Sequence, residues 1–288
     1  MKRDVFTYGI REVAPFIDWS YFLHAWGIAK ESTQAMEFIA EAKAMLDELD
    51  GRYRTKALFA LCNAKGDGDN IIIEETTLPL LRQQHCTEGK YNLCLSDFVS
   101  PRGDMVGLFA TSVASEFGKE YSGDEYKNLL AQTLADRLAE ATATLLHKQV
   151  RTDNTLWGYS PDEELTLEDL LAERNRGIRP AVGYPSLPDQ SIIFVIDNLL
   201  NLNDAGITLT PNGAMIPHAS VCGVMIAHPA AQYFAVGKID REQFEDYAGR
   251  RRIPTTELAR FLAKNIGCSP LTCCKTPERR DNTHTLRH

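Results

Sequence analysis

The sequence predicts an α+β domain: a twisted, mainly antiparallel sheet flanked by helices. Three stretches carry that prediction. Ala57–Ala64 and Asn70–Glu75 are strand-like runs joined by Lys65-Gly66-Asp67-Gly68-Asp69, whose Gly/Asp pattern suits a hairpin turn. From about Gly123 to Val150, Leu130, Leu134, Leu138, Ala141 and Leu145 fall on one face of a long helix. The last third reads as two strands followed by two helices. The 288 residues are 44% hydrophobic and 24% charged, which supplies a sizeable core without membrane-like excess. One domain is expected over residues 1–267. The polar, aperiodic residues 268–288 read as a disordered tail.

The first 30 residues are aromatic-rich, with Phe6, Tyr8, Phe16, Trp19, Tyr21, Phe22 and Trp26. Asp18 stands inside this patch, where a carboxylate is costly unless paired. It can start a helix running through Trp26 as its N-cap, or serve a binding site, and the two roles are compatible. Thr33–Leu49 has helical apolar spacing and is ended by Gly51. Met105–Val113 is a strand after the turn at Pro101-Arg102-Gly103. Ser122 and Glu125 form a capping box for the long helix. Within that helix Arg137 falls in the apolar arc and Glu140 at its edge, so the local expectation is an ion pair between them. Thr166 and Asp169 cap a short helix over Leu167–Arg174, and Asp189 caps one that runs through Leu200. Ala219–Ala227 is a strand broken by His228-Pro229, and Tyr233–Val236 is another. Asp240 and Gln243 cap a helix through Gly249, and Thr255–Asn265 is the last helix, closed by Gly267.

Gly177-Ile178-Arg179-Pro180-Ala181-Val182-Gly183-Tyr184-Pro185-Ser186-Leu187-Pro188 is the least ordinary stretch. Its three prolines and two glycines rule out a helix interior or a central strand. It is expected to be stiff, with many backbone groups outside any ladder and in need of water, side chains or a ligand. Arg179 adds a planar fork suited to a carboxylate or phosphate. Tyr184 adds a flat face with a polar tip. A rigid surface connection is the plainer alternative.

Several function classes are disfavoured. A net charge of −8 argues against a nucleic-acid backbone as partner. No apolar run reaches the length of a membrane helix, and the N-terminus lacks the apolar core of a signal peptide. The seven cysteines read as reduced thiols of a cytoplasmic protein. His218, Cys222 and His228, or Cys268, Cys273 and Cys274, are conceivable zinc ligands, but neither set has paired ligand spacing, and no metal is assigned. Cys222 suits a core position equally. No Gly-x-Ser-x-Gly elbow, Walker loop or dinucleotide fingerprint occurs.

Arg179-Pro180-Ala181-Val182-Gly183-Tyr184-Pro185 resembles the signature loop of the activation domain of cobalamin-dependent methionine synthase. Four further segments fit the same family in the same order: Phe16–Trp19, Leu134–Ala141, Trp157–Glu163, and His228-Pro229 followed by Tyr233–Val236. The resemblance implies that the loop wraps S-adenosylmethionine (AdoMet). It assigns Asp18, Glu140, Glu173, Arg179, Ala181, Gly183, Tyr184, Tyr233 and Phe234 to AdoMet binding. The residue types fit such a ligand. Arg179 suits its carboxylate and Asp18 its ammonium. The backbone of Ala181–Tyr184 suits adenine edges, Gly183 permits close approach, and Tyr233 and Phe234 offer apolar surface. Tyr184 is placed nearest the reacting methyl.

The implied function is reductive reactivation of vitamin B12-dependent methionine synthase (5-methyltetrahydrofolate–homocysteine methyltransferase), with AdoMet as methyl donor. The chain shows no folate, homocysteine or cobalamin module, so the cobalamin is expected on a partner, with a flavodoxin-like electron donor. Alternatives are reactivation of another corrinoid protein, or a non-catalytic AdoMet sensor or docking module. Gln190 stands where the family usually has His. Gly213, Ile216 and Val224 replace bulky aromatics, and the 65–110 region is short.

Overall fold

The computed structural model describes residues 2–85 and 90–267; the sequence's predicted tail, with Cys268, Cys273 and Cys274, lies outside the described residues. The strands are β1 (Lys2–Gly9), β2 (Arg54–Asp67), β3 (Asn70–Ile73), β4 (Thr76–Pro79), β5 (Asp104–Val113), β6 (Thr208–Leu209), β7 (Met215–Ile216) and β8 (Ser220–Met225). The helices are α1 (Ile10–Val13), α2 (Trp19–Ala25), α3 (Thr33–Leu49), α4 (Glu125–Thr152), α5 (Leu167–Leu171), α6 (Ile192–Leu200), α7 (Arg241–Arg251) and α8 (Thr255–Phe261).

The main sheet runs β4-β3-β2-β5-β8, and every pairing in it is antiparallel. β2 is long enough to serve two neighbours on one side. Its first part pairs with β1, from Gly9↔Arg54 to Lys2↔Leu61, and its end pairs with β3, from Ala64↔Ile73 to Asp67↔Asn70. The β2–β3 hairpin therefore closes on Gly68-Asp69, with Gly68 at φ 55°. Side chains alternate across the sheet with period 2. Ala57, Phe59, Phe109 and Val113 face one core with α3 and α4, and Leu58, Ala60, Leu108 and Ala110 face a second core with α6. A third core joins α7 and α8 through Phe244, Tyr247, Leu258 and Leu262.

α4 lies across β2, β5 and β8. Leu130, Leu134, Leu138, Ala141, Leu145 and Val150 bury its inner stripe, each leucine contributing roughly 1.5–3 kcal/mol. Thr111 Oγ1 donates to the Ala139 carbonyl at 2.9 Å and fixes the axial position of α4 on β5. The N-cap is Asp124, which accepts the Lys127 N–H, and not Ser122. Ser122 closes the preceding 3-10 turn, which leaves Asp124 as the first residue with extended backbone.

Other boundaries also move. β1, β4, β6, β7 and α1 lie outside the elements that the sequence predicts. Tyr233–Val236 forms no strand. Its backbone is held by the segment opposite, with Phe234 N–H donating to Ser186 Oγ and Val236 N–H to the Pro185 carbonyl. α5 stops at Leu171, because Glu173 takes a left-handed φ of 54° and Arg174 turns back to bond Asp169 at 2.7 Å. The cap position of α6 is Ser191; Asp189 accepts the Ser191 N–H and hydroxyl through one oxygen, and Tyr247 and Arg251 through the other. α8 ends at Phe261, after which Ile239 and Ile266 bridge.

Candidate functional site

The proline-rich segment 177–188 is laid along β8. Ile178 and Ile226 exchange both backbone hydrogen bonds at 2.9 Å. Val224 N–H donates to the Pro180 carbonyl at 3.0 Å and Val182 N–H to that of Cys222 at 2.9 Å. The expectation that this backbone lies outside any ladder is therefore corrected. Proline is tolerated because Pro180 is asked only for its carbonyl. The close approach requires glycine on β8. A Cβ on Gly223 would lie 2.2 Å from the Pro180 oxygen and 2.8 Å from the Ala181 Cα. Beyond Val182 the chain reverses, with Gly183 at φ 85° and Gly183 N–H bonded to the Leu187 carbonyl at 2.8 Å.

The entry to the segment is clamped by residues 147–163. Arg151, almost wholly buried, donates to Glu163 at 2.6 Å. The other Glu163 oxygen accepts the Arg176 N–H at 2.9 Å. His147 bonds Tyr159 Oη at 2.8 Å, and Tyr159 packs where a Cβ on Gly177 would come within 2.7 Å. Burial, with Arg151 and Arg179 nearby, holds His147 well below the usual imidazole range, so it is neutral.

Between this segment, α4, α5 and the start of α2 lies a cavity of about 670 Å3, within the range of small-molecule sites. Asp18, Glu140, Glu173, Arg179, Ala181, Tyr184, Tyr233 and Phe234 all line it. Gly183 does not, and its bare Cα faces Gln190 instead. Gln190 in turn donates to the Gly213 carbonyl at 2.9 Å.

Asp18 is the N-cap of α2, and Oδ1 accepts the Ser20 and Tyr21 N–H groups at 2.8 and 3.4 Å. Oδ2 has no hydrogen bond among the described residues. Both roles read from the sequence are thus open to one side chain. Glu140 does not pair with Arg137. Its ion pair is with Arg179 at 3.4 Å, and its other oxygen accepts the Tyr184 hydroxyl. Sequence-local reasoning could not find a partner 39 residues away. Arg179 Nη2 also donates to Thr144 Oγ1 at 3.0 Å, and its backbone N–H to Tyr233 Oη at 2.9 Å. The side chains of Arg179 and Glu140 keep 17% and 23% exposure, so both are reachable from the cavity.

Three carboxylates meet two guanidiniums here, those of Arg137 and Arg179. The surplus of negative charge shows in the protonation equilibria. Partial burial pushes the Glu173 carboxyl up; Arg179 opposes this, and Glu140 and Asp18 add to it. Burial pulls Arg179 down, but Tyr233, Glu140 and Glu173 raise it further, so it stays a cation. Burial pushes Tyr233 up to about 12. Burial also raises Tyr184, with the Glu140 charge adding to it.

Thr144 and Arg137 belong to the lining although the sequence reading did not place them in the site. A signal existed: Arg137, Glu140, Ala141 and Thr144 follow at helical spacing on one face of α4. The conceivable zinc set is not assembled. His218 is exposed beside Asp136, whereas Cys222 is buried in the sheet core. Among the described residues no cluster of three or more His, Cys, Asp or Glu is arranged to hold a metal, and no helix is long and apolar enough to cross a membrane.

An α+β domain with an acidic, arginine-bearing cavity walled by a proline-rich segment has the form of a small-molecule-binding module. The family model of the vitamin B12 dependent methionine synthase activation domain matches residues 9–252. Among solved structures, a crystal structure of the MetH reactivation domain bound to AdoHcy is similar, with a TM-score of 0.87 and 34% sequence identity over 93% of this chain and 91% of that one. The chain belongs to the methionine synthase activation-domain family.

Proposed function

We propose that the chain binds AdoMet in this cavity and presents its methyl group for reductive methylation of the cobalamin of vitamin B12-dependent methionine synthase. The observation that carries the reading is the gathering of Asp18, Glu140, Glu173 and Arg179 around one hollow. AdoMet is a zwitterion with an added sulfonium, so it needs one guanidinium and more than one carboxylate. The cavity offers that charge pattern. The similar MetH domain carries AdoHcy, the same molecule without its methyl.

Arg179 receives the ligand carboxylate through N–H groups not used on Glu140 and Thr144. Asp18 Oδ2 receives the ammonium. Glu140 and Glu173 surround the sulfonium with negative charge. Tyr184, half exposed and bonded to Glu140, stands at the mouth beside the methyl. A docked cobalamin, once reduced by the electron donor, would supply the electron pair that takes the methyl, and the sulfonium would leave as a neutral thioether. No proton moves in that exchange. The chain is asked for orientation and exclusion of water. A flavodoxin-like electron donor and a cobalamin-bearing partner complete the proposal.

Calorimetric titration with AdoMet tests it. The wild-type chain binds, and Arg179→Ala weakens binding roughly 10- to 100-fold, the worth of a charge-assisted contact. Absence of binding by the wild type, or unchanged affinity in a folded Arg179→Ala, refutes the assignment. Turnover with labelled AdoMet, reductant and a cobalamin-bearing methionine synthase module then separates the alternatives. Binding without methyl transfer points to a sensor, and transfer only to another corrinoid protein points to that partner.

A further inference from the structure

We infer that Thr144 is a positioning residue for AdoMet selection: its hydroxyl keeps the Arg179 guanidinium to a one-point contact with Glu140 and leaves it open to the carboxylate of the ligand. This rests on the functional reading above and adds a residue that neither the family resemblance nor the sequence pattern assigned.

The argument is one of hydrogen-bond directions. A threonine hydroxyl has a single proton. Thr144 Oγ1 lies 3.2 Å from the Glu140 carbonyl oxygen one turn earlier in α4, and donates to it. With its proton spent there, the hydroxyl turns lone pairs outward, and one accepts Arg179 Nη2 at 3.0 Å. The second terminal nitrogen, Nη1, reaches Glu140 Oε2 at 3.4 Å, a long contact for opposite charges. The guanidinium is thus split between two acceptors on one helix face.

Without the Thr144 hydroxyl only the Tyr184 hydroxyl on Oε1 opposes the closing of Arg179 on Glu140 as a two-point pair, the geometry a guanidinium and a carboxylate favour. Such a pair would spend the fork that the ligand carboxylate needs. Glu140 is also committed to the Tyr184 hydroxyl through Oε1, so one carboxylate links the guanidinium to the tyrosine at the mouth. Thr144 therefore sets the aim of Arg179.

Valine matches threonine in shape and β-branching, so Thr144→Val deletes the acceptor with little disturbance of the helix. The probes are AdoMet and decarboxylated AdoMet, which keeps the sulfonium, the amine and the adenine but lacks the carboxylate. Calorimetry on the wild type is expected to show preference for AdoMet. In Thr144→Val, AdoMet binding falls about five- to tenfold while decarboxylated AdoMet holds its affinity, so the preference narrows. Thr144→Ser restores the hydroxyl and the preference. Equal weakening of both ligands, or unchanged preference in a wild type that binds AdoMet, overturns the inference alone. A wild type that binds neither ligand overturns the functional reading and this inference with it.

Discussion

Gly223→Ala is the sharpest probe of how the site is held. The added Cβ would stand 2.2 Å from the Pro180 carbonyl oxygen, where ordinary contact begins at 3.4 Å, a shortfall of about 1.2 Å by subtraction. Both nearest atoms are backbone, so no rotamer change relieves it. Either the proline-rich segment lifts from β8 or the strand bends. Lifting strains or breaks the bonds from Val224 N–H to Pro180 and from Val182 N–H to Cys222. Overpacking costs about 1–3 kcal/mol and each lost backbone bond about 1 kcal/mol, which gives roughly 3–5 kcal/mol in all. For a domain of this size that lowers the melting temperature by on the order of 10 °C. Arg179 is one residue from the clash, and a displacement near 1 Å should weaken AdoMet binding by more than tenfold. Thermal unfolding and calorimetric titration read the two effects. A variant that melts within about 2 °C of wild type and keeps its affinity would show that the segment is not held by this contact.

Two further outcomes follow from the charges around the cavity. The folded-state pKa of Glu173 is raised, so ionisation of this group destabilises the unliganded chain above that pKa and has no effect below the unfolded value near 4.5. Glu173→Gln should therefore raise the melting temperature at pH 7, lose that advantage as pH falls below about 4.5, and weaken binding of cationic AdoMet more than of neutral AdoHcy; melting curves across pH and paired titrations check this. Asp18→Asn should leave stability within about 0.5 kcal/mol, because asparagine caps helices as well as aspartate does, while AdoMet affinity falls less than in Arg179→Ala. A matching loss of stability would assign Asp18 to the cap alone.

Much of this arrangement is legible in the chain itself, and the reasons differ by element. α4 shows because an apolar stripe over many turns has one physical explanation. The β2–β3 hairpin shows because Gly68-Asp69 supplies the turn chemistry. β1 does not show. It begins with Lys2-Arg3-Asp4 and leaves Val5 half exposed, so its alternation is weak, and pairing with β2 makes it a strand. Tyr233–Val236 misleads in the opposite sense, since its apolar residues wall the cavity and pack against Ser186 without a ladder partner. Within the site, Asp18 and Arg179 stand out as charges among apolar or proline-rich neighbours. Thr144 is marked only by its helical spacing from Glu140, because a hydroxyl on a half-buried helix face has many ordinary uses and only the fold brings Arg179 to it.

The backbone bonds between the proline-rich segment and β8 have a consequence for solubility. β8 is the last strand on its side of the sheet, and Cys222, Val224 and Ile226 belong to a buried apolar cluster. Left bare, such a border would recruit strands from other molecules. Residues 178–182 bond its backbone at Ile226, Val224 and Cys222, while on the outer side Tyr233 Oη accepts the Arg179 N–H and the Ala181 carbonyl accepts the Tyr184 N–H. The stretch that walls the cavity thus also covers this border of the sheet, so mutations that loosen it should lead to aggregates as well as to weaker AdoMet binding.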